Sequence, residues 1–257
     1  MAPARLRPAF WPTVISVPAF LVLLGLGFWQ LERLHWKEGL IAEREAAVAA
    51  PPTEIPRSAA EAATMAFRHV RATGEFLNDR EFLLGASNEA GTTGYHVVTP
   101  LRLADGKTLL VDRGWIPGNL KDPAKRQQGE LTGTVTVEGL LRLGQTERPN
   151  WFVPENRCDI NYWFWIDIAG MARCGDLHDV LPFTVDAGPA PNPGGYPRGG
   201  VTRIALPNDH LQYAITWFAL AVGLATIYLL YHRQRQALPE TGDRKAGEPK
   251  AGDGVSR

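Results

Sequence analysis

His210 opens a long apolar run in Asn208-Asp209-His210-Leu211-Gln212-Tyr213-Ala214, and no other side chain in this sequence is better placed for chemistry. Asn208 or Asp209 can cap a helix that begins there. The imidazole then stands at the head of a membrane-length helix, and a neutral imidazole is a usual ligand for haem iron. On a helical wheel Ala214, Trp217, Ala221 and Ala225 fall close to the histidine's face. Two readings fit that stripe. Small residues are the ordinary means of close helix approach in lipid, with the histidine bonded to water or headgroups, and the pattern alone favours this. The other reading is a groove that takes a flat apolar ligand beneath the imidazole.

The other candidates are weaker. His35 could face His210 if the two terminal helices pair, whereas His69, His96 and His178 are scattered and His232 falls at the opposite end of its helix. Asp112-Arg113-Gly114-Trp115 reads as an internal ion pair at a turn, or as a recognition element. Cys158 and Cys174 could close a disulfide in an oxidising compartment or stay as buried thiols, and they lack the Cys-x-x-Cys spacing of a redox or metal pair. No nucleophile elbow, phosphate loop, zinc-protease helix, dinucleotide fingerprint or covalent-haem motif occurs, so a protein that binds or holds is expected rather than an enzyme.

What must position His210 is membrane. Residues 10–30 and 211–231 lack Asp, Glu, Lys and Arg, and each has the length of about 20 residues that spans a hydrocarbon core as a helix. Arg5 and Arg7 before the first run, with Arg233 and Arg235 after the second, predict that both termini are cytoplasmic. Trp11, Trp29, Tyr213, Tyr228 and Tyr231 mark the headgroup layers. A cleaved signal peptide ending at Gly25-Leu26-Gly27 is the alternative, but the apolar run is longer than such a core. The expected division is a cytoplasmic N-terminus over 1–9, a first transmembrane helix over 10–30, a periplasmic domain over 31–209, a second transmembrane helix over 210–231 and a disordered cytoplasmic tail over 232–257.

The intervening stretch is long enough for one domain with a real core. It is mildly acidic within a chain of formal net charge zero, which argues against a nucleic-acid partner. Helical periodicity continues from the first span to about Ala50, where Pro51-Pro52 stops it. Alternation predicts strands over 67–76, 81–85, 95–103, 108–115 and 134–143, with Asp105-Gly106 as a two-residue hairpin turn. A short helix over 120–128, another over 166–173, a strand over 182–186 and a Pro/Gly-rich loop over 188–200 follow. The fold class is therefore a membrane protein of α+β type, with two transmembrane helices at the chain ends flanking an extracytoplasmic antiparallel β-rich domain. Residues 151–165 are dense in rings, which read chiefly as core and membrane contact, with a ligand-facing role for a few.

Four segments together resemble a known family. They are Trp29-Gln30-Leu31-Glu32-Arg33-Leu34-His35-Trp36-Lys37, Gly94-Tyr95-His96-Val97-Val98-Thr99-Pro100-Leu101, Val111-Asp112-Arg113-Gly114-Trp115-Ile116-Pro117 and His210-Leu211-Gln212-Tyr213-Ala214-Ile215-Thr216-Trp217. In this order between two spans, they look like the Surfeit-locus assembly factors of cytochrome c oxidase. That resemblance implies an inner-membrane assembly factor that binds haem a transiently and helps bring it into subunit I of the oxidase. Subunit I and a haem a synthase are the implied partners. The alternative is a membrane-anchored scaffold that stabilises an oxidase intermediate without touching haem. The resemblance points to His210 as the iron ligand and tips the balance toward that reading, with Trp217 on the same face as a cofactor-binding residue. The first nine residues do not read as a mitochondrial leader, so a bacterial plasma membrane is the expected address.

Overall fold

The computed structural model describes residues 9–88, 90–145, 147–201 and 206–237. Arg5, Arg7 and the tail beyond Ala237, on which part of the predicted topology rests, lie outside the described residues. The chain divides into two units, one of Met1–Glu38 with Pro207–Arg257 and one of Gly39–Leu206.

The first unit is built on two helices, α1 (Phe10–Ala49) and α4 (His210–Ala237), both long and apolar enough to cross a membrane. Helix α1 carries Pro18 inside it and ends before Pro51-Pro52, whose rings cannot continue the hydrogen-bond ladder. Its expected extension beyond the apolar stretch is present.

The second unit contains a seven-stranded sheet ordered β1-β2-β6-β7-β5-β4-β3. Its strands are β1 (Thr53–Glu54), β2 (His69–Phe76), β3 (Phe82–Ser87), β4 (Thr93–Leu103), β5 (Thr108–Pro117), β6 (Thr134–Leu143) and β7 (Val180–Ala187). A further antiparallel pairing of β2 with β4, with Gly74 opposite Leu103 and Phe76 opposite Leu101, joins two strands that the order separates. Strands β2, β6, β7, β5 and β4 thereby form a closed ring, which leaves fewer open edges. The sheet is mixed, not purely antiparallel: β5 runs parallel to β7 and β1 parallel to β2. The chain returns from β5 to its parallel neighbour β7 by way of β6, which is antiparallel to β7, and the segment between β6 and β7 carries α3 (Ile168–Cys174), capped by Asp167 Oδ1 on the Gly170 amide at 2.9 Å. Helix α2 (Ala59–Thr64) precedes β2.

Alternation along the ring strands buries Val70, Ala72, Leu101, Leu109, Val111, Leu141, Phe183 and Val185 in one cluster. A second cluster packs Phe82, Val98, Leu110 and Trp163 against Met171 of α3 and Leu177. The β4–β5 hairpin closes through residues 104–106 rather than two residues: Leu103 N–H donates to Lys107 O, Gly106 N–H donates to Leu103 O, and Gly106 takes φ +85°. A type I turn followed by a left-handed glycine has that form. The helix expected over 120–128 is instead a succession of short 3-10 turns around Pro123–Lys125 and Gln127–Gly129.

Candidate functional site

Helix α4 begins at His210, and the Asp209 carbonyl accepts from Tyr213 N–H at 3.2 Å to close the first turn. Asn208 Oδ1, expected as a cap, is buried without a hydrogen-bond partner. His210 is half-buried, and its Nδ1 lies 2.7 Å from Gln30 Oε1 on α1. An amide oxygen only accepts, so against Oε1 the ring nitrogen Nδ1 is the donor, and in a neutral ring Nε2 then keeps its lone pair. Gln30 itself is 9% exposed. His35, the partner considered from sequence, is exposed, and the residue bonded to His210 lies five positions earlier in the chain.

Gly27 is buried one turn before Gln30, and a Cβ there would sit 2.6 Å from the Phe218 ring. Phe218 also meets Phe28 edge-on, with ring centroids 5.4 Å apart. Ala214 and Ala221 are each 1% exposed and Trp217 is half-buried. The alanines therefore serve close helix approach, as the pattern alone suggested, and do not line an open groove. At the other end of the pair, Ala9 N–H donates to His232 Nε2 at 3.0 Å, His232 Nδ1–H donates to Tyr228 O at 2.8 Å, and the Thr13 and Tyr228 hydroxyls are 2.8 Å apart.

In the second unit, Asp112 and Arg113 do not form the expected ion pair with each other. They are successive residues of β5, so their side chains leave opposite faces. Asp112 Oδ2 lies 2.7 Å from His96 Nδ1, and its Oδ1 accepts from Gly114 N–H at 2.9 Å. Burial pulls the His96 pKa down, but the hydrogen bond and charge of Asp112, with the charge of Asp186, outweigh it and leave the group raised. Arg113 donates to the Gly129 carbonyl and lies over the Phe76 ring at 4.6 Å. Its pKa is lowered to about 10 by burial and by the charge of Arg126, against the opposing charges of Glu81 and Glu130. Glu81 and Arg126 form a bidentate pair, with side chains 8% and 3% exposed.

The ring-dense segment divides. Trp163 is core and donates Nε1–H to Asn161 Oδ1 at 3.1 Å, and Tyr162 meets Tyr95. Trp151 and Phe152 stack on each other with centroids 3.6 Å apart and are 75% and 73% exposed. Cys158 and Cys174 are disulfide-bonded, with Cα atoms 6.0 Å apart. Among the described residues no group of three or more His, Cys, Asp or Glu could hold a metal ion.

The model of the SURF1 family matches residues 17–222, from within α1 to within α4. The chain belongs to the SURF1 family. This SURF1-family chain is 37% identical over 237 residues to a SURF1-like protein of Monosiga brevicollis, covering 88% of each chain. It is 36% identical over 242 residues to Surfeit locus protein 1 of Homo sapiens, covering 88% of this chain and 77% of that one. The corresponding protein of Mus musculus is 36% identical over 235 residues, covering 86% and 74%.

Gln30 with His210, His96 with Asp112, Glu81 with Arg126, Thr13 with Tyr228 and His232 with Ala9 are polar contacts that sequence reasoning did not find. Gln30 did leave a signal. It is an amide at the end of an apolar run, a position where polar side chains call for a partner on a neighbouring helix.

Proposed function

We propose that this SURF1-family protein is an assembly factor for cytochrome c oxidase that binds haem a transiently and assists its insertion into subunit I. The observation that carries the reading is the 2.7 Å contact of His210 Nδ1 with Gln30 Oε1, which in a neutral ring leaves Nε2 its lone pair. Metal-ligating histidines almost always donate their second ring N–H to an oxygen in this way. The residues present fit the iron: His210 would hold it through Nε2, and Trp217 offers an indole further along α4. Bound there, haem a would supply only its iron as a Lewis acid toward the imidazole, and the protein would carry the cofactor without turning it over. One ligand from the chain suits a carrier that must release its load.

In this reading the chain is a multi-pass protein of a bacterial inner membrane, with both termini cytoplasmic and the Gly39–Leu206 unit periplasmic. It is not an enzyme, and its partners are subunit I and a haem a synthase. Protein purified from cells that make haem a is expected to show a haem spectrum that His210→Ala abolishes. An unchanged spectrum in the variant, or no haem in the wild type, refutes the ligand assignment.

A second reading, a membrane-anchored scaffold that never touches haem, draws support from the exposed Trp151–Phe152 stack. Two rings held in water are a ready anchor for a protein surface. Co-purification with subunit I in a strain unable to make haem a, lost on replacing both rings by serine, would favour it.

A further inference from the structure

We infer that Gln30 is a positioning residue for His210, fixing the imidazole as its Nδ1–H tautomer so that Nε2 is the nitrogen offered to iron. This deepens the haem-binding reading above and rests on it for the role of Nε2, but not for the hold on the ring.

Three observations converge. First, the contact is short, at 2.7 Å, and links residues 180 apart in sequence, so it exists only when α1 and α4 pair. Second, Gln30 is 9% exposed and follows the buried Gly27 by three residues, the interval of one helical turn. The glycine lets Phe218 approach the α1 backbone, which sets the spacing at which the amide meets the imidazole. Third, the amide presents its oxygen Oε1 to the ring, and in that orientation Nδ1 is the donor. Placing the proton on Nε2 would require the Gln30 amide to turn about and present its NH2 to Nδ1.

The consequence is a ligand whose competence depends on helix pairing. An imidazole with its proton on Nε2 cannot coordinate iron through that atom. The same contact that closes this end of the helix pair therefore prepares the ligand, and parting the helices would release the ring to either tautomer. Glutamate at position 30 would keep the acceptor. Methionine would remove it, and lysine would place a donor where the ring now donates.

The test uses full-length protein in lipid nanodiscs, with histidine labelled by nitrogen-15 and the His210 signals assigned by their loss in His210→Ala. Ring nitrogen shifts are expected to report Nδ1–H in the wild type and in Gln30→Glu, and a majority of Nε2–H in Gln30→Met and Gln30→Lys. Titration with ferric haemin, followed at the Soret band, is expected to lose about 10- to 100-fold in affinity in the last two variants and to recover in Gln30→Glu, the range found when the outer partner of a metal-bound histidine is removed. An unchanged tautomer in both Gln30→Met and Gln30→Lys overturns the inference. If the tautomer switches as stated while haemin binding ignores His210→Ala, the hold of Gln30 on the ring stands and the haem reading falls.

Discussion

The Arg198 carbonyl oxygen occupies the place where a Cβ of Gly114 would stand, 1.9 Å from it. Gly114 also has φ +111°, and the next residue, Trp115, exchanges both backbone hydrogen bonds with Arg198 at 2.9 Å. Both faults of a side chain, strain and collision, meet at one residue of the Asp112–Trp115 segment. Gly114→Ala is expected to cost at least about 3 kcal/mol, read as a fall in the urea midpoint. Gly106→Ala has comparable strain but nothing within 4 Å of its Cβ, and should cost only about 1–2 kcal/mol.

The His96–Asp112 pair gives stability a pH dependence of known sign. The folded pKa of His96 is raised above its ordinary 6.5, so its contribution is fully present below that value and is lost as pH rises through the raised one. The wild-type advantage over His96→Gln should therefore shrink between pH 6 and alkaline pH, as measured by urea unfolding across that range. A gap that widens instead would contradict the pairing with Asp112 and Asp186.

Glu81 and Arg126 are nearly excluded from solvent, which makes removal of one partner costlier than removal of both. Arg126→Met alone should destabilise by about 3–5 kcal/mol, since it strands a buried carboxylate. Adding Glu81→Leu should recover part of that loss. A double-mutant cycle measures the difference.

The Cys158–Cys174 bond closes a loop with a sequence separation of 16, for which the chain-entropy model gives about 3 kcal/mol. Replacing both cysteines by serine should lower thermal stability by that order. On the haem-binding proposal the spectrum should persist, because the disulfide lies in the Gly39–Leu206 unit while His210 and Gln30 belong to the other. Loss of the spectrum in a folded variant would tie the cofactor to the strand-rich unit.

Local pattern made much of this legible. The strand over 134–143 was readable from its alternation and its flanking turn formers, and β6 has those bounds. Pairing left no such trace. The parallel contact of β5 with β7 and the closure of β2 on β4 join segments far apart in sequence, and only the three-dimensional packing of their buried faces selects them. His210 stood out because an ionisable ring at the head of an apolar helix is costly without a reason. In the sequence Gln30 is only the edge of a span, and its meaning lies in a partner that the sequence alone cannot supply. The alanine stripe had two physical readings, and Gly27 with Phe218 decides for packing.

The polar locks of the two-helix unit sit at its extremities, Gln30 with His210 at one and Thr13 with Tyr228 at the other. At 1.5 Å per residue they are about 26 Å apart along either helix, close to the roughly 30 Å of a hydrocarbon core. Sliding one helix past the other by a turn would break both locks at once. The pair thus resists piston motion, and any signal passed along it would have to travel as a change in tilt or as a splaying of one end.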